Sequence, residues 1–286
     1  MRRVYIIANP KRKPGVVPIL KELLPWLRKI ATIVKVDQNG ESDLSRIHAD
    51  MVLVFGGDGT ILSAARRLYG NPVPVFGVNL GRLGFLAQTS PAEVKKVLPA
   101  VLRGKYVLSP RMMLNVRVTG KPGQASAKPV REFVALNDAV LLRQPKASMM
   151  TIDVRVSGQE VARYRGDGLI VSTATGSTGY SLSAGGPILS ESLKAFVVTP
   201  ICAHTLANRP IVLSHEESLE ICAESMTGSP VELVMDGQTS CSLSSGTCVT
   251  VSRAPFECNL VTLGRKGRYE IIRDKLHWAG WVNHGK

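Results

Sequence analysis

A glycine-rich turn that contains one carboxylate is the first place along the chain where residue types and spacing could do chemistry. Asp58 and Thr60 stand among Gly56, Gly57 and Gly59, directly after an apolar run that is typical of a buried strand. Glycines let backbone N–H groups approach an anion closely, and a helix that begins there adds the positive end of its dipole. The turn could therefore hold a phosphate group, or it could be a plain strand-to-helix turn in which Asp58 or Thr60 caps the helix.

A second polar region lies in the middle of the chain. Asp167 precedes a block over residues 173–187 that is rich in threonine, serine and glycine. So many small hydroxyl residues cannot form an apolar core, but they can hydrogen-bond a polar ligand. A flexible loop is the alternative, although an idle loop is usually shorter and more charged. Asn137 and Asp138 also interrupt an apolar strand pattern, either as a turn or bulge or as polar groups that need partners if they are buried.

Several other chemistries are excluded by the sequence. It contains neither the P-loop motif nor the G-x-G-x-x-G dinucleotide fingerprint, and residues 179–183 lack the final glycine of a serine-hydrolase elbow. The five histidines do not have the spacing of metal ligands. The five cysteines are odd in number and never form C-x-x-C, so we expect neither a disulfide framework nor a zinc site.

The chain carries an excess of positive charge, with 36 Lys and Arg against 22 Asp and Glu and a formal net charge of +14. Such a field attracts phosphorylated small molecules, nucleic acid or an acidic membrane. Aromatic residues make up only 5% of the chain, which argues against a stacking platform for bases. We therefore expect small-molecule partners and no nucleic acid. No apolar run is long enough for a membrane span or a signal-peptide core, so we expect a cytoplasmic protein without a membrane partner.

Two kinds of hydrophobic periodicity divide the 286 residues into two predicted domains. Up to about residue 106, short β-type runs alternate with helix-like stretches. This pattern predicts an α/β domain with a parallel sheet, whose ligands bind at the carboxyl ends of the strands. The clearest helix begins at Ser90 and Pro91, where Ser90 and Glu93 form a capping box.

From residue 107 to residue 266 the pattern changes to many short strands, the last of them at 257–263. Ser157-Gly158 and Asp236-Gly237 stand where hairpin turns would occur. This region is therefore predicted to be an all-β, antiparallel sandwich. An amphipathic stretch at 269–278 is predicted to be helical, and we expect the chain end, 267–286, to return to the first domain.

Six motifs occur in order along nearly the whole chain, at 56–60, 79–85, 137–138, 165–169, 173–180 and 204–210. Together they resemble the motifs of the NAD kinases. The glycine–aspartate turn alone is shared with diacylglycerol and sphingosine kinases and partly with phosphofructokinases. The block rich in threonine, glycine and serine is the discriminating motif.

The resemblance implies phosphoryl transfer from ATP, or in some members from polyphosphate, to the 2′-hydroxyl of the adenosine ribose of NAD. The product is NADP, and the reaction uses a divalent metal such as Mg²⁺. Asp58 matches the residue that serves the ribose hydroxyl, as general base or by orienting it, and the glycines around it match phosphate contacts. The family also implies a homo-oligomer, either a dimer or a tetramer.

The same resemblance assigns binding roles to further residues. Asn137 and Asp138 match the pair that holds the adenosine portion of NAD, and Asp167 matches the aspartate near the nicotinamide ribose. Asp138 stands where glutamate is commoner, and Leu86 where many relatives have tyrosine. The other assignments lie in the adenine pocket, in the wall of the NAD site or near the substrates: Phe85, Arg165, Thr178, Gly179, Tyr180, Ser183 and Asp236.

Two other functions remain open at this point. A lipid kinase would use the same glycine–aspartate turn to phosphorylate a lipid alcohol. A non-catalytic binder of nucleotides or nucleic acid would rely on the positive charge, although Asp58 and Asp167 would repel a phosphate backbone.

Overall fold

The computed structural model describes residues 1–10, 13–81, 84–87, 89–120, 131–145, 147–205, 207–264 and 268–276. They form two compact units. The first unit contains Met1–Ala64, Val73–Ser109 and the described residues from 259 onward, and the second contains Ala65–Pro72 and Pro110–Cys258. No helix in these described ranges is long and apolar enough to cross a membrane.

The first unit is an α/β structure. Its strands are β1 (Arg3–Ala8), β2 (Thr32–Asp37), β3 (Met51–Gly56), β4 (Val75–Asn79), β5 (Val107–Arg111) and β18 (Cys258–Thr262), and its helices are α1 (Val16–Ile30), α2 (Asp58–Arg67), α3 (Pro91–Leu102) and α5 (Arg268–Leu276). The strands form one sheet in the order β2-β1-β3-β4-β18-β5, in which β2, β1, β3, β4 and β18 are parallel. β3 and β4 are buried along their whole length, as is typical of parallel strands. The predicted α/β domain is confirmed.

The helices follow from local sequence signals. α1 buries one stripe of apolar residues, spaced three or four apart: Val16, Leu20, Leu23 and Leu27. The capping box predicted at the start of α3 is confirmed, since Glu93 Oε2 accepts from the backbone N–H of Ser90 at 3.4 Å and the Ser90 side chain accepts from the backbone N–H of Glu93. The last turn of α2, from Ala65 onward, belongs to the second unit.

The second unit is a sandwich of two antiparallel sheets. One sheet has the order β10-β9-β14-β17-β6-β7, with β6 (Leu114–Gly120), β7 (Arg131–Ala135), β9 (Met150–Val156), β10 (Gln159–Gly166), β14 (Leu219–Ser225) and β17 (Cys248–Arg253). The other, which we call the site sheet, has the order β13-β12-β11-β8-β15-β16, with β8 (Asp138–Arg143), β11 (Gly168–Thr173), β12 (Ala195–Ile201), β13 (Ile211–Ser214), β15 (Val231–Met235) and β16 (Thr239–Leu243).

Strand alternation explains how the two sheets pack. In β8 the side chains of Ala139 and Leu141 enter the core shared by both sheets. Val140 and Leu142 point to the opposite, outer face of the site sheet, where they meet Val234 of β15. The predicted antiparallel sandwich is confirmed.

Both predicted hairpin turns are present. Ser157 and Gly158 join β9 to β10 with φ of 49° and 83°, and Asp236 and Gly237 lie between β15 and β16 with φ of 50° and 62°. Two successive residues in the left-handed region are what the type I′ hairpin turn requires.

One strand lies in a different sheet from the one predicted. The run at 257–263 was predicted as part of the antiparallel region, but β18 pairs parallel with β4, with Leu260 opposite Val75. The periodicity of a short apolar strand does not say which sheet receives it. α5 confirms the predicted helix over Arg268–Leu276. Residues 267 and 277–286 lie outside the described residues, so the course of the chain end stays a prediction.

The cysteines also differ from expectation. We expected no disulfide framework, and one disulfide is present, because Cys222 and Cys248 are bonded to each other. They stand directly opposite each other in the antiparallel pair β14 and β17. Their separation of 26 residues gives no hint of this, because only the strand register brings them together. Cys202, Cys241 and Cys258 are free.

Candidate functional site

The glycine-rich turn lies in the first unit, where β3 ends and α2 begins. Asp58 is the first residue of α2 and is half-buried. Its carboxylate accepts hydrogen bonds from the backbone N–H groups of Phe85 and Leu86, at 2.8 and 3.2 Å. Phe85 and Leu86 follow β4, the neighbour of β3, so the carboxylate joins two loops at the carboxyl ends of adjacent parallel strands. The two donors orient the carboxylate, whose other lone pairs can accept from a hydroxyl.

The glycines of this region have different roles. A Cβ on Gly84 would lie 1.9 Å from Asp58 Oδ1, and a Cβ on Gly56 would lie 2.3 Å from Thr60 Oγ1. These two positions therefore require glycine for packing. Among the described residues, no atom lies within 4 Å of a Cβ built on Gly57, so the backbone at this residue is open to an approaching ligand. Gly59 and Thr60 belong to the first turn of α2.

A cavity of about 310 Å³ lies on the outer face of the site sheet, in the second unit. The apolar side chains Val140, Leu142 and Val234 line it together with polar residues from the start of β8, from the turn after β15 and from α4. Such a surface, mostly apolar with a few polar groups, is usual for small-molecule sites. The full lining is Asn137, Asp138, Val140, Leu142, Tyr180, Val234, Asp236 and Gly237.

The block rich in threonine, serine and glycine packs against the polar pair at the start of β8. After β11 the block forms a 3₁₀ turn over Gly176–Thr178 and the short helix α4 over Tyr180–Ser183. A Cβ on Gly176 would lie 2.2 Å from the carbonyl oxygen of Asn137. A Cβ on Gly179 would lie 3.6 Å from Asn137 Nδ2 and 3.9 Å from Asp138 Oδ2. The structure therefore brings the two predicted polar regions together.

Only part of this block is open to a ligand. The hydroxyl of Ser177 donates to the carbonyl oxygen of Ala174 at 2.8 Å, and the hydroxyls of Ser181 and Thr199 bond each other at 2.9 Å. These buried hydroxyls satisfy the fold itself. Tyr180 and Ser183 are exposed, and Thr178 is half-buried.

Asn137 and Asp138 carry the clearest chemical signals in the cavity. The carboxamide oxygen Oδ1 of Asn137 is buried and has no hydrogen-bond partner among the described residues. Burial, and then the nearby carboxylate of Asp236, raise the pKa of Asp138 to about 7. A buried acceptor without a protein partner costs free energy unless a ligand or water supplies the donor. These two residues therefore provide a buried acceptor that has no partner among the described residues and a carboxyl group that can be protonated near neutral pH.

The other predicted residues lie in different surroundings. Asp167 is about one-third exposed and forms an ion pair with Arg143 Nε at 2.5 Å. The Arg143 guanidinium also donates to the carbonyl oxygens of Gln144, Pro145 and Ala147. Arg165 is exposed at the end of β10. The residues that line the cavity do not include Arg165, Asp167, Thr178 or Ser183.

Comparisons with known proteins decide the family. The family model of the ATP-NAD kinase N-terminal domain matches residues 40–106, and that of the ATP-NAD kinase C-terminal domain matches residues 136–263. The chain belongs to the NAD kinase family. This is the family that the sequence motifs resembled, so that prediction is confirmed.

Relatives and solved structures agree over nearly the full length. The chain is 39% identical to the NAD kinase of Trichlorobacter lovleyi and 37% identical to that of Geobacter sulfurreducens, over 98% of this chain and 99% of each relative. The crystal structure of yeast NADH kinase complexed with NADH matches 100% of this chain and 90% of its own, with a TM-score of 0.83 and 26% identity. An NAD kinase from Archaeoglobus fulgidus in complex with ATP matches 97% and 99%, with a TM-score of 0.71 and 29% identity.

Asp138 gives this NAD kinase family member a testable pH dependence. A folded-state pKa near 7, above the ordinary 3.8, means that the folded protein binds the proton more tightly than the unfolded chain. The resulting contribution to stability is complete below about pH 4 and is lost as the pH rises to about 7, by at most about 4 kcal/mol. Asp138→Asn cannot titrate. We therefore expect the difference in free energy of unfolding, wild type minus Asp138→Asn, to decrease as the pH rises from about 4 to about 7.

Urea unfolding of both proteins at pH 5, 6, 7 and 8 measures this difference. Glu224→Gln, which removes an exposed carboxylate of the same unit, controls for the change in net charge. Parallel pH profiles for the wild type and Asp138→Asn would show that Asp138 does not carry the raised pKa.

Sequence reasoning missed two arginines that pair with predicted site residues. Arg143 holds Asp167, and Arg66 holds Asp236 with Nη1 at 2.6 Å from Oδ2. In the sequence both belong to the general positive charge, and no local pattern separates them from solvent-exposed arginines. Their partners are 24 and 170 residues away, so only the fold reveals them.

Proposed function

We propose that this protein transfers the terminal phosphoryl group of ATP to the 2′-hydroxyl of the adenosine ribose of NAD, which gives NADP. The observation that carries the proposal is the carboxylate of Asp58, half-buried and oriented by two backbone N–H donors at the carboxyl edge of a parallel sheet. Membership of the NAD kinase family supports phosphorylation of NAD over the lipid kinase and the non-catalytic binder.

Asp58 would act on the attacking hydroxyl. Phosphoryl transfer requires mainly positioning of two anionic substrates and neutralisation of charge. A positioned carboxylate that accepts the hydroxyl proton, or orients it, contributes about 10²–10⁴-fold, or roughly 3–5 kcal/mol of the barrier. The open backbone at Gly57, together with Gly59 and the N-terminus of the ten-residue helix α2, would contact phosphate oxygens.

The cavity on the site sheet would hold the adenosine portion of NAD. The unpartnered Asn137 Oδ1 supports acceptance of a hydrogen bond from a hydroxyl or amino group of the ligand. Asp138, protonated or ionised near neutral pH, would bond the same part of the ligand. The exposed ring of Tyr180 and the backbone of Gly179 would wall the site.

The remaining assignments rest on the family resemblance alone. Asp167 would lie near the nicotinamide ribose, and Phe85 would line the adenine pocket. Arg165, Thr178 and Ser183 would supply further contacts to the nucleotide.

Mg²⁺ fits this scheme as an ion that arrives with the phosphates. The described residues contain no group of three or more His, Cys, Asp or Glu side chains placed to hold a metal. Mg²⁺ is commonly held by substrate phosphates with one or two carboxylates, and the free lone pairs of Asp58 make that residue the candidate protein ligand. When bound, the ion would neutralise phosphate charge.

Three further features belong to the proposal. Residues 1–106 and the chain end 267–286 would carry the catalytic turn and bind the phosphoryl donor, and residues 107–266, without β18, would bind NAD. The protein would act in the cytoplasm on small-molecule nucleotides. It would assemble as a homodimer or homotetramer.

A coupled assay of NADP formation tests the proposed function. Purified protein with Mg²⁺ is given ATP or polyphosphate as donor, and NAD, NADH or a lipid alcohol as acceptor. We expect NADP to form from NAD and ATP in equal amounts with ADP. Phosphorylation of the lipid alcohol alone, or salt-sensitive oligonucleotide binding without consumption of ATP, would contradict the proposal.

A further inference from the structure

The carboxylate of Asp236 lies beneath the turn that carries the polar pair of the cavity. Its Oδ1 accepts from the backbone N–H groups of Asn137 and Asp138, at 2.7 and 3.2 Å, and its Oδ2 accepts from Leu136 N–H at 3.2 Å. The backbone N–H of Asp236 donates back to the carbonyl oxygen of Asp138 at 2.9 Å. Three consecutive N–H groups of the turn therefore converge on one side chain.

Arg66 completes this arrangement. Its Nη1 donates to Asp236 Oδ2 at 2.6 Å and its Nη2 donates to Gln238 Oε1 at 2.7 Å. The side chain of Asp236 has no exposed surface, and that of Arg66 is 13% exposed. With four donors around it and no contact with solvent, the Asp236 carboxylate has no free face for a ligand. Asp236 therefore borders the cavity through its backbone.

We infer that Arg66 and Asp236 are positioning residues that hold Asn137 and Asp138 in the geometry that binds NAD. The inference rests on the proposed function of the cavity. Asn137 keeps a buried acceptor without a partner among the described residues. A shift of the turn that brought this acceptor to solvent would gain free energy. The convergent bonds to Asp236 hold the backbone of Leu136, Asn137 and Asp138 against such a shift, and the Arg66 guanidinium supplies the opposite charge that a buried carboxylate requires.

The test is the effect of Arg66→Gln on substrate affinity. We expect the KM for NAD to rise about tenfold or more, because the charge-assisted bond to Asp236 and the bond to Gln238 are both lost. The KM for ATP should stay within about twofold. A calorimetric titration with NAD alone should show the same loss of affinity, independent of turnover.

Two further variants separate positioning from general stability. Arg111 is buried and pairs elsewhere in the second unit with Glu191, whose side chain is 32% exposed, so Arg111→Gln removes the ion pair of another buried arginine. We expect it to lower the free energy of unfolding without changing the KM for NAD. Arg66→Lys keeps the positive charge but lacks the two guanidinium nitrogens that bond Asp236 and Gln238 together. The KM of this variant for NAD should therefore lie between those of the wild type and Arg66→Gln.

The results that would overturn the positioning role differ from the result that would overturn the proposed function. If Arg66→Gln binds NAD as the wild type does, or if Arg111→Gln weakens NAD binding equally, the positioning role is wrong. If Arg66→Gln does not fold, Arg66→Lys decides by the same criterion: an unchanged KM for NAD overturns the role. A wild type that forms no NADP overturns the proposed function instead.

Discussion

Asp58→Asn is expected to lower kcat by about 10²–10⁴-fold while the protein stays folded. Asparagine keeps one oxygen that can accept from the backbone N–H of Phe85 or Leu86, so the contact between the two loops persists in part. The carboxamide cannot take a proton from the ribose hydroxyl. Steady-state kinetics with NAD and ATP, together with urea unfolding, measure the two expectations.

Asp37 offers a matched control for this variant. It ends the parallel strand β2, and its carboxylate also accepts from two backbone N–H groups, those of Asn39 and Gly40, at 3.2 and 3.0 Å. Asp37→Asn should therefore cost similar stability and leave kcat near the wild-type value. Near-normal turnover in Asp58→Asn, or an equal loss in Asp37→Asn, would contradict a chemical role for Asp58.

Gly176→Ala is expected to weaken NAD binding strongly and to destabilise the second unit. The new Cβ would lie 2.2, 2.5 and 2.7 Å from the O, C and Cα atoms of Asn137. These are backbone atoms, which cannot rotate away, so the turn or the block must shift. We expect a loss of about 1–3 kcal/mol in the free energy of unfolding and a KM for NAD raised more than tenfold.

Gly15→Ala is the control for this substitution. A Cβ on Gly15 has no atom of the described part of the chain within 4 Å, and the backbone of this residue is in the right-handed helical region at φ −61°. Thermal unfolding and NAD titration of both variants measure the effects. A Gly176→Ala protein with wild-type melting temperature and NAD affinity would show that the block does not lie against the Asn137 turn.

The parts of the fold that the sequence predicts are those set by local signals. The parallel strands followed by helices, the capping box at Ser90 and the hairpin turns at Ser157-Gly158 and Asp236-Gly237 each depend on residues a few positions apart. Periodicity, capping and left-handed turn residues are physical preferences of short segments. They therefore appear in the sequence without knowledge of tertiary contacts.

The parts that escaped prediction depend on long-range pairing. The strand β18 joins β4 across most of the chain, and Cys222 meets Cys248 through strand register. The exposed edge strand β13 has no alternating apolar signal to reveal it. Asp58 receives its hydrogen bonds from residues 27 and 28 positions away.

The candidate site shows the same division. Residue types pointed to Asp58, Asn137 and Asp138 because carboxylates and amides interrupt apolar or glycine-rich segments. The sequence could not show that the hydroxyls of Ser177 and Ser181 are used within the fold, or that Arg66 supports Asp236. Hydrogen-bond partners are a property of the folded chain, and composition alone does not assign them.

The most direct test of the central claim is the single-turnover rate of phosphoryl transfer in Asp58→Asn, measured with NAD and ATP both saturating, alongside the dissociation constant for NAD. The claim is that the Asp58 carboxylate acts on the ribose hydroxyl in the chemical step. It predicts a rate constant lowered by about 10²-fold or more with NAD affinity within about threefold of the wild type. A wild-type rate constant, or a loss explained entirely by weaker NAD binding, would contradict it.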